Sequence, residues 1–357
     1  MLSRETVFII GAGASFELGL PLGETLKTEI AGLLDIQFAG GFKQTNGDYQ
    51  IANALRSMAD EKAGTSFNDL LEKCWLLRDA LPGSISIDNL IDAHRNDPEI
   101  AEIGKLGITK AILAAERKSK LYRRADERDE ILFPRLAGSY LIPLFQIMTE
   151  GVAKEEAAKI FSNVTFIVFN YDRTIERFFP LALRRYYGFD QHQAEALFSE
   201  ARIVHPYGRV GEFGKGKSLT SAAFGADRCD LRSIAQGIRT FSEGVAEEDD
   251  QDEIAQIIKS ADRAVFLGFA FHPLNMAILE TETLGPNEFG RIDAVFGTTI
   301  GLSDAAVRSV TQAIANTFSK RPPTGRADLI ASQEFSELNL EPRSASDFLF
   351  AHFRSLA

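Results

Sequence analysis

Hydrophobic residues in this chain fall either into short unbroken runs or into longer stretches with helical spacing. One run, Val7–Ile10, leads directly into Gly11-Ala12-Gly13-Ala14-Ser15, and similar runs occur at Val164–Phe169 and at Ala264–Ala270, where the strand is read as Arg263–Phe269. Unbroken apolar runs of this length, bounded by turn residues, predict strands buried on both faces. Shorter strands are predicted at Arg202–His205 and Arg291–Phe296. Helical spacing covers Gly23–Leu34, where Leu26, Ile30, Leu33 and Leu34 recur on one face, and Thr174–Tyr187, Pro273–Leu284 and Ser303–Phe318. Glu247 and its acidic neighbours open a further helix, where carboxylates suit the positive end of the dipole. Strands alternating with helices predict an α/β fold, a Rossmann-like doubly wound parallel sheet covered on both faces.

The alternation is interrupted once. From Gln37 to Ser162 the pattern becomes helical almost throughout, in segments Ile51–Ala59, Phe67–Leu77, Ile85–His94, Gly107–Arg124 and Ile131–Gly151. The predicted organisation is a nucleotide-binding core made of residues 1–36 and 163–320, an inserted helical layer at 37–162 and a C-terminal extension at 321–357. Trp75 and its leucine neighbours belong to the core of the layer. Phe348, Leu349, Phe350 and Phe353 form an apolar cluster in the extension that either docks on the chain's own core or serves association.

Composition removes several classes. With 357 residues, 45% of them hydrophobic, the chain can bury a large core, and no apolar run approaches a membrane span. The N-terminus enters the first strand almost at once, which leaves no room for a signal peptide, so a cytoplasmic protein is expected. Cys74 and Cys229 are far apart with no C-x-x-C spacing, which predicts neither a disulfide framework nor a zinc site. A net charge of −11 argues against direct nucleic-acid binding, and the basic run Lys118–Arg128 is interleaved with acids like a solvated helix face.

Four motifs fall where predicted strands end: GAGAS at Gly11–Ser15, FNYD at Phe169–Asp172, HPYG at His205–Gly208 and GFAFHPLN at Gly268–Asn275. In open α/β sheets ligands bind at the carboxyl ends of the strands, so the four converge on one site. Gly11 and Gly13 can take positive φ and admit a pyrophosphate to the backbone of Ala12–Ser15. The position of a third fingerprint glycine is Phe16, so the turn departs from the dehydrogenase pattern. Gly211–Ser218 fits the P-loop pattern. It does not leave a strand directly, however, and is read as a basic loop beside the site.

These residues resemble the SIR2-like, sirtuin-fold family of NAD-consuming proteins. GAGAS is similar to the family's opening turn, Gly19-Leu20-Pro21 to its Gly-Ile-Pro, FNYD to its Asn-x-Asp strand end, and HPYG to its His-Gly with two residues inserted. The chain lacks the paired C-x-x-C zinc ribbon of protein deacylases and carries Leu22-Gly23-Glu24 where they have Asp-Phe-Arg. With a large insertion and no zinc module, it looks like the bacterial SIR2 domains that deplete NAD in anti-phage defence. The resemblance implies NAD as substrate, no zinc, a homo-oligomer, and a HerA-type ATPase or another sensor as partner.

The resemblance also implies roles. Asn170 and His205 are the expected catalytic residues, the amide orienting the ribose or a water and the imidazole accepting a proton. Gly11, Ala12, Gly13, Ser15 and Pro21 are expected at the phosphates, Asp172 beside Asn170, and Gly268, Phe269 and Asn275 at the adenosine end. The expected activity is hydrolysis of the nicotinamide–ribose bond. Transfer to a protein acceptor, as in a deacylase or ADP-ribosyltransferase, and NAD or ADP-ribose binding without turnover are the alternatives.

Overall fold

A computed structural model describes residues 2–357 except 63, 125, 214–219, 241–242, 244–247, 281–290 and 319–334. Six strands form one sheet: β1 (Thr6–Ile10), β4 (Val164–Val168), β5 (Arg202–Val204), β6 (Arg263–Leu267), β7 (Ala294–Thr298) and β8 (Glu337–Glu341). Every pairing in the sheet is parallel and the order is β5-β4-β1-β6-β7-β8. Numbered within the sheet alone this is 3-2-1-4-5-6, the doubly wound dinucleotide-binding order. The α/β architecture and parallel sheet are therefore as the strand patterns predict. The order reverses between β1 and β6, which is where the crevice of such a sheet lies.

The central strands β1 and β6 are buried along their whole length. Their alternate residues serve two cores: Val7 and Ile9 pack with α2 (Gly23–Leu34) and most of the inserted helices, while Phe8 and Ile10 pack with Tyr140–Met148 and Phe178–Leu183. The insertion thus contributes to both faces of the sheet. It opens with a small antiparallel hairpin, β2 (Gln37–Ala39) and β3 (Lys43–Asn46), which the polar sequence there did not signal. Then follow α3 (Tyr49–Glu61), α4 (Phe67–Ala80), α5 (Ile87–Ala93) and α6 (Pro98–Lys118). Asp48, Ser66, Ser86 and Asp97 cap these four helices by accepting N–H groups of their first turns. Trp75 donates to the Ile36 carbonyl, joining α4 to the end of α2.

Several predicted boundaries shift, among them the strand predicted at Arg291–Phe296, which runs from Ala294 to Thr298. The segment Ile131–Gly151 forms only α7 (Leu141–Thr149) after a 3₁₀ turn at Phe133–Leu136, because Pro134 and the left-handed Gly138 break the earlier periodicity. Gly107–Arg124 is the second half of α6, which ends at Lys118. Of the helix predicted to Leu284, the described part is Pro273–Leu279, and residues 281–284 lie outside the described residues. β8 belongs to the segment read as an extension, and it completes the sheet at one edge. Beyond it Phe348 and Leu349 are buried against the core, whereas Phe350 is 51% exposed.

Candidate functional site

At the switch point two strand exits lock together through glycine. The short helix α1 (Ala12–Phe16) follows β1 with Gly11 as its N-cap. Gly11 donates its N–H to the Leu267 carbonyl at 2.9 Å and Gly13 donates to the Gly268 carbonyl at 2.9 Å. A Cβ on Gly11 would lie 2.5 Å from that Gly268 oxygen, and one on Gly13 would lie 2.9 Å from the Gly268 Cα. Gly11 has φ −113° and Gly13 is not among the residues with positive φ. The reason these positions are glycine is therefore close backbone approach to β6, and not the left-handed conformation expected of them. Gly268 does need it, at φ +58°, and a Cβ there would sit 2.0 Å from the Ala14 nitrogen. Thr298 Oγ1 accepts the Gly268 N–H at 2.8 Å. Among the described hydrogen bonds the Ala12 N–H, at the first helical position, takes no acceptor.

Ser15, Asn170, Asp172 and His205 come together beside this junction and all are buried. Asn170 Nδ2 donates to Ser15 Oγ at 2.9 Å. Asp172 Oδ1 accepts the Thr174 N–H at 3.1 Å and so starts α8 (Thr174–Tyr187). Burial pushes the Asp172 carboxyl above its ordinary value, partly offset by hydrogen bonds from Thr174 and Ser15. His205 Nδ1 lies 3.2 Å from the Asn170 carbonyl oxygen and its Nε2 lies 2.9 Å from Glu176 Oε1. Glu176, in the first turn of α8, also accepts from Arg209 at 3.0 Å.

Glu176 was not among the residues expected at the site. Burial alone would raise its carboxyl, but His205 and Arg209 outweigh burial and hold it below the ordinary glutamate value of 4.5. A carboxyl depressed in the folded state stabilises the fold above its unfolded pKa and loses that contribution as pH falls through its folded pKa. The difference in unfolding free energy between the wild type and Glu176→Gln is accordingly expected to hold steady at mildly acidic pH and to shrink as pH drops below 4.5. Urea unfolding of both proteins between about pH 3 and pH 6 measures this, and a gap that widens toward acid would refute it.

The odd residues of the same loop reach into the insertion. Tyr171 donates its hydroxyl to Asp88 on α5. Arg173 grips Glu116 on α6 from Nε at 3.0 Å and Nη2 at 2.6 Å, and both side chains are 0% exposed. The same guanidinium donates to the Ala222 and Ala223 carbonyls and lies 4.4 Å from the centre of the Phe213 ring. Gly225 N–H completes the Glu116 carboxylate at 2.8 Å. Neighbouring residues of N-Y-D-R are thus held alternately by the site and by the inserted helices.

The remaining expected residues are dispersed around this centre. Phe269 packs edge-on to Phe169 at 4.9 Å between ring centres, filling the space between the β4 and β6 exits. Asn275 Oδ1 accepts the Tyr207 hydroxyl at 2.7 Å, which ties the β6 exit to HPYG. Phe271 adopts φ +52°, so the G-F-A-F segment holds two left-handed residues. Pro21 lies half-buried between α1 and α2, and no described hydrogen bond ties it to the cluster. Phe16 is 56% exposed, so it is not core. Most of Gly211–Ser218 lies outside the described residues; the described Gly211 has φ +75°. Among the described residues no group of three or more His, Cys, Asp or Glu is placed to hold a metal, and no helix is long and apolar enough to cross a membrane. Comparison of the chain with protein-family models and with curated proteins finds no match.

Proposed function

We propose that the chain is a SIR2-like NAD hydrolase that cleaves the nicotinamide–ribose bond to give nicotinamide and ADP-ribose. The observation that carries this reading is the hydrogen-bonded series Ser15–Asn170–His205, drawn from three different strand exits at the switch point of a 3-2-1-4-5-6 sheet. The glycine junction at Gly11, Gly13 and Gly268 and the open Ala12 amide suit a pyrophosphate at the head of α1. Departure of nicotinamide leaves positive charge on the ribose, so the site has to hold the sugar and direct a water to the anomeric carbon. Asn170, its Nδ2 fixed by Ser15, presents its Oδ1 to a ribose hydroxyl or to that water. Asn170 is 8% and His205 9% exposed, so a substrate that reaches them displaces part of what covers them.

Incubation of the full chain with NAD and chromatography of the products tests the reading. Equimolar nicotinamide and ADP-ribose, lost in Asn170→Ala, is the expected result. Intact NAD, both alone and with an associated ATPase or sensor subunit, would overturn it, and products that depend on an added peptide would indicate transfer. The resemblance carries further proposals: NAD depletion in anti-phage defence, in the cytoplasm, as a homo-oligomer partnered by a HerA-type ATPase or another sensor. Light scattering on the purified chain checks the oligomer.

A further inference from the structure

We propose that Glu176 and His205 act as a single base, and that Glu176 Oε2 is the atom that takes the proton from the attacking water. The assignment rests on the hydrolase reading above. Among the described residues His205 Nδ1 faces only a carbonyl oxygen, so it carries a hydrogen and cannot accept one. A contact of 2.9 Å between Nε2 and Glu176 Oε1 requires one proton between them, on whichever atom it is drawn. Neither ring nitrogen is then open to a further proton. The open acceptor of the pair is Glu176 Oε2, which is buried and has no hydrogen-bond partner among the described residues, on a side chain only 9% exposed.

Glu176 lines a cavity of about 820 Å³ together with Arg209, Phe213, Pro180 and Ala222. The cavity brings solvent up to the Glu176 side chain, and Oε2 itself is covered, so a water reaches that atom as the side chain shifts. Among the described residues the charged and titratable groups facing the pair are Arg209 after β5, Asp172 after β4, Tyr140 at the head of α7 and Arg177 on α8, with Asp129, Arg184, Glu195 and Glu212 around the same cavity. Arg209 and His205 keep Glu176 ionised, so it is ready to accept. In the step itself the C1′–nitrogen bond of NAD breaks with its electron pair going to nicotinamide. A water lone pair forms the new C1′–oxygen bond, and the water proton passes to Oε2 and then to solvent. His205, held between Asn170 and Glu176, aims the carboxylate and takes up part of the charge change.

Glu176→Gln in the full chain removes the acceptor while keeping the shape. We expect kcat for NAD to fall by about 10²-fold or more, with the NAD dissociation constant measured by calorimetry little changed and the acid limb of the pH–rate profile lost. Glu176→Asp is expected to keep that limb with a smaller fall in kcat, and it carries the test should the glutamine variant not fold. A Glu176→Gln enzyme with kcat within a few-fold of wild type, or with its defect wholly in KM, overturns the assignment while the hydrolase reading stands. A wild type that leaves NAD intact overturns both.

Discussion

Gly268→Ala is expected to destabilise the protein by about 2–5 kcal/mol, as the sum of two costs of different origin. An alanine held at φ +58° pays about 1–2 kcal/mol for the left-handed conformation. Its Cβ would also lie 2.0 Å from the Ala14 nitrogen and 2.4 Å from the Gly13 carbonyl carbon, and forcing such a contact in a packed interior costs about 1–3 kcal/mol. Neither side yields easily, because β1 and β6 are adjacent, fully buried strands that feed the two turns. Gly11→Ala separates the terms: at φ −113° it pays only for contact, with the Gly268 carbonyl and the Phe269 Cα. Denaturant midpoints of both variants provide the measurement. A loss below about 1 kcal/mol for Gly268→Ala would mean that the β1 and β6 exits part readily.

Glu116→Ala is expected to cost about 3–5 kcal/mol, because it strands the Arg173 guanidinium in a fully buried position without its counter-charge. The Ala222 and Ala223 carbonyls and the Phe213 ring remain, but they do not replace a carboxylate that is gripped at two oxygens. Removing both partners in Glu116→Ala/Arg173→Met should recover a large part of the loss, since an apolar replacement leaves no orphaned charge. Thermal or urea unfolding of the two single variants and the double closes the cycle. A double variant no more stable than Glu116→Ala would show that packing volume, and not the unpaired charge, sets the cost.

The sequence disclosed the central sheet and the loop positions of the site, but not what holds them. β1, β4 and β6 are near-continuous apolar runs because both faces are buried, and such runs are hard to mistake. β8 has the sequence Glu337-Leu338-Asn339-Leu340-Glu341, every residue half-buried, and its only signal is a two-residue alternation. Asn170 and His205 were legible because polar residues at strand ends are conspicuous. Glu176 was not, since an acid in the first turn of a helix is already explained by the helix dipole. Its one signal is its place three residues past Arg173 and one turn from N-Y-D. The reason Gly11 and Gly13 are glycine was not legible, because they meet Gly268 across more of the chain than any local rule spans. Asp88 and Glu116 carry no local signal for the same reason, since their partners Tyr171 and Arg173 lie far along the chain.

The alternating grip on N-Y-D-R also sets when the site comes into being as the chain folds. Tyr171 meets Asp88 across 83 positions of sequence and Arg173 meets Glu116 across 57, and contacts of that separation close slowly. In a chain whose strands have paired while its inserted helices are still unpacked, Tyr171 and Arg173 lack the partners that hold the loop in the folded protein. The N-Y-D-R loop is therefore set late in folding, once the inserted helices that hold Tyr171 and Arg173 have docked.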